Sequence, residues 1–97
     1  MNKNLANVLA KISELLVACE RHEDAAFINL MRIKLEQNAL SKTEYNSIID
    51  DLKKFMHPRG VFCDSSLVPN KNSGMTLDDA YKLQWDLADQ FWEEFGE

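Results

Sequence analysis

The sequence predicts an all-α fold, a compact bundle of about four helices with one long ordered loop, residues 57–75, before the last helix. Apolar residues recur at helical spacing through most of the chain, and both prolines and two of the three glycines fall between 57 and 75. The length, 97 residues, leaves room for one domain spanning residues 1–97. A chain this short buries only about 60 to 65% of its unfolded surface on folding. That argues against a large internal cavity, and no cofactor is expected.

Leu5, Val8, Leu9, Ile12, Leu15, Leu16 and Cys19 form the stripe of an amphipathic first helix over residues 4–19. Lys11 and Glu14 interrupt the same stretch, so it is not the unbroken apolar block of a signal peptide or membrane span. The polar run 20–24 predicts a short turn with Asp24 or a neighbour as cap, because a helix continuing to residue 37 would be too long for a small domain. Ala26, Phe27, Leu30, Met31 and Leu35 then carry the apolar stripe of a second helix to about residue 37, antiparallel to the first.

Ser41 to Glu44 has the form of a capping box, in which Ser41 accepts the amide of Glu44 and the Glu44 side chain returns to the amide of Ser41. The third helix it opens carries Tyr45, Ile48, Ile49, Leu52, Phe55 and Met56 on one face, and Pro58 with Gly60 stop it. In the loop, Val61, Phe62, Leu67 and Val68 are apolar groups able to anchor on the helices; a short hairpin within 60–70 is left open. Thr76 caps the last helix, with Asp78 and Asp79 placed favourably in its first turn. Its core face reads Leu77, Ala80, Tyr81, Gln84, Leu87, Ala88, Phe91 and Phe95.

The net charge is −5 and unevenly spread. From Thr76 to Glu97 there are seven acids against Lys82 alone, a net of −6, while the other nine acids and ten bases leave +1. Such a segment repels phosphates and attracts basic partners, which disfavours direct nucleic-acid binding. Cys19 and Cys63 are too few for a disulfide framework and, without an export signal, are expected as reduced thiols in the cytoplasm.

Residues able to carry chemistry are sparse. Cys19 with His22 and His57 with Cys63 lack the tight paired spacing of a structural zinc site, and Cys19 continues an apolar stripe, where a buried thiol is ordinary. His22 and His57 have no nucleophile, oxyanion donor or Gly-rich phosphate loop near them in sequence, so neither metal binding nor catalysis is expected. Asp50 and Asp51 read as a solvated surface pair.

The last helix is the best candidate for function. At 3.6 residues per turn, Asp79, Asp86, Asp89 and Glu93 share one exposed stripe, and Trp85 and Trp92 border it. Acids rimming aromatic anchors suit the capture of a basic protein. The alternative is that both tryptophans are core and the acids only solvate the helix.

A helical hairpin, a third helix, the loop from Gly60 through Val61, Phe62, Cys63, Asp64, Ser65 and Ser66 to Leu67, and a final helix resemble small bacterial immunity proteins of polymorphic-toxin and contact-dependent inhibition systems. The chain is also similar to bacterial domains with a Gly-x-Phe-Asn-Asp-like loop after their third helix; Cys63 stands where that loop more often has Asn. The resemblance implies a non-catalytic protein that binds a cognate toxin domain, often a basic nuclease, and covers its active site. It places Asp64 with the acid stripe in that contact and implies a monomer until the toxin arrives. The competing reading is a self-associating or adaptor bundle that buries Trp85, Trp92 and the loop apolar groups against a second copy.

Overall fold

The computed structural model describes residues 3–37 and 39–95. It is all-α: α1 Lys3–Ala18, α2 His22–Leu35, α3 Lys42–Met56 and α4 Leu77–Glu93, with a 3-10 turn at Lys71–Ser73 and no strand among the described residues. Among the described residues no helix is long and apolar enough to cross a membrane.

α1 is the central element. It packs against α2 on one side and α4 on the other, and every position of its predicted stripe is buried. No glycine or proline ends it; instead Glu20 adopts a left-handed backbone (φ 59°). There the Arg21 N–H reaches back to the Leu16 carbonyl at 2.8 Å and the Glu20 N–H to that of Val17 at 3.0 Å, a Schellman-type close with glutamate where glycine is usual. A left-handed non-glycine residue costs about 1 to 2 kcal/mol, and Asn70 helps to hold it. The Asn70 backbone N–H donates to the Ala18 carbonyl at 2.6 Å, and its side-chain amide donates to Glu20 Oε1 at 2.9 Å. The long loop therefore clamps the α1–α2 corner.

α2 departs from expectation in two ways. Its N-cap is Arg21, which makes no capping hydrogen bond through its side chain; Asp24 lies inside the first turn and pairs with Arg21 at 2.6 Å. Its buried face is Ala25, Ile28, Met31 and Leu35, while Ala26 and Leu30 are exposed and Phe27 is half-buried. The cause is visible in the sequence: α2 carries apolar residues all round its axis, so spacing alone could not choose the face that α1 and α3 cover.

α3 begins at Lys42 with Ser41 as N-cap. Ser41 Oγ accepts the Glu44 N–H at 3.1 Å, but the Glu44 carboxylate accepts from the Ser41 hydroxyl, also at 3.1 Å, rather than from the amide. Ile48 to Met56 bury as expected, and Tyr45 at the open end stays exposed. His57 closes the helix, its Nδ1 accepting the Arg59 N–H at 3.1 Å. A side chain at Gly60 would collide with the Lys54 carbonyl and crowd those of Phe55 and His57, so the chain turns there only as glycine.

The 57–75 segment is a run of turns. Phe62 and Leu67 are buried in the core, Phe62 stacked beside Phe55, whereas Val61 and Val68 face outward. The loop is thus anchored by two of the four apolar residues expected to hold it.

Candidate protein-binding site

Thr76 and Asp79 fix the start of α4 reciprocally. Thr76 Oγ1 accepts the Asp79 N–H at 3.1 Å, and the Thr76 N–H donates to Asp79 Oδ2 at 3.2 Å. This full capping box sets the register of everything that follows on the helix.

Ala80, Gln84, Leu87, Ala88 and Phe91 make the buried face. Leu77 and Tyr81, expected on that face, are 62% and 61% exposed. The reason is topological. Ala80, in the same turns, is fully buried, so these turns are covered on one side only; Leu77 and Tyr81 lie beyond that cover, beside the 63–68 loop, whose Val68 is itself exposed. Trp85, 39% exposed, extends the same strip, and its ring lies edge-on to Tyr81 at 6.5 Å.

Trp92 has a different fate. It is half-buried, its indole N–H donates to the Met56 carbonyl at 3.1 Å, and it meets Phe91 edge-on. It thereby takes up a carbonyl at the C-terminal end of α3, which the helix itself leaves open. Of the two tryptophans, Trp92 ties α4 to α3 and Trp85 is presented outward.

Asp79, Asp86, Asp89 and Glu93 are all exposed. Asp79 is engaged in the cap, and Asp86 accepts from Gln90 Nε2 at 2.9 Å. Asp86, Asp89 and Glu93 form no ion pair among the described residues. Lys82, the one base on α4, is paired with Asp78 at 3.0 Å on the open surface. The stripe therefore keeps its negative field.

Between the first half of α4 and the 63–68 loop lies a groove of about 640 Å³, walled by Leu67, Val68, Leu77, Tyr81 and Trp85, with Cys63, Ser65, Ser66, Asp78 and Gln84 completing it. Its floor is held by Gln84, which is buried and donates through Nε2 to the carbonyls of Phe62 at 2.7 Å and Ser65 at 2.9 Å. Burial pushes the Cys63 thiol up from its ordinary value, and the nearby Asp89 carboxylate adds to the rise. Asp64, next to Cys63 in the chain, is exposed and is not one of the residues that line the groove.

Leu77, Tyr81 and Gln84 were read from the sequence as core alone. The two former are surface and the last is a polar clamp. No local signal separates them from true core positions, since what differs is how far a neighbouring loop reaches. Trp92 also borders a separate cleft lined by Lys53, Lys54, His57, Arg59 and Gly60. His22 and His57 stand at the start of α2 and the end of α3. Among the described residues no three His, Cys, Asp or Glu side chains converge as a metal-binding group. Comparison with protein-family models, with characterised proteins and with solved structures finds no match to this chain.

Proposed function

We propose that this chain is a non-catalytic immunity protein that neutralises a cognate toxin domain, a basic nuclease, by covering its active site with the acidic face of α4. One observation carries the reading. Asp86, Asp89 and Glu93, free of ion pairs among the described residues, run beside an exposed apolar strip of Leu77, Tyr81 and Trp85 on the same helix. A helix that only had to be soluble would gain nothing from leaving two large aromatics in water beside unpaired acids. An interface gains from both, the aromatics as desolvated anchors and the carboxylates as steering charges.

The chemistry of the partner follows from this field. Nuclease sites are basic because they bind phosphates, and an acidic surface occupies them as a phosphate mimic. Inhibitor complexes of this kind bury about 1,600 Å² in total, an area that α4 and the adjoining loop with Asp64 can supply. The protein acts in the cytoplasm, where such a toxin reaches its substrate, and stays monomeric until it meets it.

A second reading has its own support. The outer face of α2 exposes Ala26, Leu30 and Ile33, with the latter two about half open to solvent. A self-associating or adaptor bundle would bury that face. It would then dissociate on dilution, whereas the immunity protein would not change mass.

The deciding experiment is a pull-down with the tagged full chain from lysate of cells that carry its neighbouring genes. A basic toxin domain should be recovered with the native bait and lost when Asp86, Asp89 and Glu93 are all changed to Lys. Recovery of the chain alone, or a partner held equally by the reversed bait, contradicts the proposal.

A further inference from the structure

We infer that the cleft at the end of α3, lined by Lys53, Lys54, His57, Arg59, Gly60 and Trp92, is a second docking surface, one that takes an acidic peptide segment with an aromatic side chain between its carboxylates. It lies outside the acid stripe of α4 and does not depend on what that stripe binds.

Local structure gathers the bases. Lys53 and Lys54 fall in the last turn of α3, and the chain turns back at Gly60 so that Arg59, outside the helix, lines the same cleft. The Gly60 N–H donates to the His57 carbonyl at 2.6 Å and the Phe62 N–H to that of Phe55 at 3.1 Å, which holds the turn. His57 Nδ1 accepts the Arg59 N–H at 3.1 Å, so the neutral imidazole carries its own N–H on Nε2 as a further donor.

A simpler role for bases in a last turn is to satisfy the open carbonyls of the helix. Here other donors take them: the Lys54 carbonyl accepts the His57 N–H, that of Phe55 the Phe62 N–H, and that of Met56 the Trp92 indole and the Cys63 thiol. Lys54 and Arg59 are exposed, and their side chains make no hydrogen bond or ion pair among the described residues. Lys53 stands over the Phe95 ring at 4.9 Å. No Asp or Glu lines the cleft, although the chain has 16 acids against 11 Lys and Arg. A surface that serves solubility alone intersperses the two signs.

Charge and shape choose the occupant. Three cations and an N–H donor call for an anion, and an arginine fork takes a carboxylate through two parallel hydrogen bonds. The half-buried Trp92 supplies an apolar wall on which a second ring can lie. Trp and Arg together are the composition of an interface anchor. The cleft, about 320 Å³, has room for a ring with its adjoining carboxylate but is too open to enclose a small molecule, which would bury most of its surface. A nucleic-acid strand would call for successive stacking rings, and the cleft has one. Charges more than about 8 Å away are largely screened at physiological ionic strength, so the local excess of bases, not the net charge of −5, sets the attraction.

The test titrates the ¹⁵N-labelled full chain with acetyl-Glu-Glu-Phe-Glu-Glu amide, the same peptide with glutamine for glutamate, the same with alanine for phenylalanine, inorganic phosphate, and a short oligothymidylate. The reporters are the Trp92 indole N–H and the Gly60 amide. The acidic peptide should shift both saturably, the glutamine peptide should bind about tenfold more weakly, and the alanine peptide severalfold more weakly. Changing Lys54 and Arg59 together to Glu, at exposed positions, should keep the spectrum folded and weaken the acidic peptide about tenfold or more. Arg59→Lys, which keeps the charge but not the fork, should weaken it severalfold.

Equal binding of the glutamate and glutamine peptides, no saturable shift at either reporter, or undiminished binding by the charge-reversed variant overturns the inference. Tighter binding of phosphate or oligothymidylate than of the peptide also overturns it and gives the cleft to phosphate groups. Shifts of both reporters when the chain alone is concentrated would overturn it in favour of a second copy of the chain.

Discussion

α1 and α4 are helices of nearly equal length with similarly clean apolar stripes, yet they use those stripes differently. α1 lies between α2 and α4, and all seven of its predicted core residues are buried. On α4, Ala80, Gln84, Leu87, Ala88 and Phe91 are buried, but Leu77 and Tyr81 belong to the stripe and not to the core. Periodicity says which residues share a face. Whether that face is covered across its whole width depends on the reach of its neighbours, and here the edge with Leu77, Tyr81 and Trp85 is left open. That open edge of α4 is where the candidate interface lies.

The sharpest way to break this contrast is to truncate one residue from each half of α4. Phe91→Ala, in the fully buried half, should cost about 3 to 5 kcal/mol by urea denaturation. Tyr81→Ser should stay within about 0.5 kcal/mol. Comparable losses at the two sites would mean that the first turns of α4 are core after all.

A smaller effect is expected at the junction of the halves. Gln84→Met keeps much of the side-chain volume but leaves the carbonyls of Phe62 and Ser65 without their donor. A loss of about 1 to 3 kcal/mol is expected. A neutral result would show that water replaces the amide and that the groove floor is not built as described.

The smallest effect sharpens the electrostatic side of the contrast. Cys63 is held in its neutral form by burial and then by Asp89. Asp89→Asn should lower the thiol pKa and raise its alkylation rate modestly at about pH 8, because the thiolate is the reacting species. The sign for stability follows: a thiol raised above its ordinary value of 9.0 contributes stability below that value and loses it as pH rises through the folded-state value. An unchanged alkylation rate would place the acid stripe too far away to charge the groove.

The all-α class, the order of helices and the long loop before the last one were legible from spacing, from Ser41 and Thr76 as caps, and from Pro58 and Gly60 as a stop. The end of α1 was not fully legible, because Glu20 takes a position where glycine is the usual signal and Asn70, fifty residues away, helps to hold it. The face of α2 was misread, since Ala26 and Leu30 are as apolar as Ala25 and Ile28. At the candidate site the acid stripe could be read residue by residue, because exposed charges follow helix geometry alone. The division of labour between Trp85 and Trp92 could not, because it depends on where the Met56 carbonyl ends up.

The most direct test of the central claim, that α4 captures a basic partner through its unpaired acids, is the association rate of the purified partner at low and high ionic strength. For the native chain it should fall by about tenfold or more as salt rises, and the variant with Lys at positions 86, 89 and 93 should associate slowly at both. A rate indifferent to salt, or one the variant retains, would contradict it.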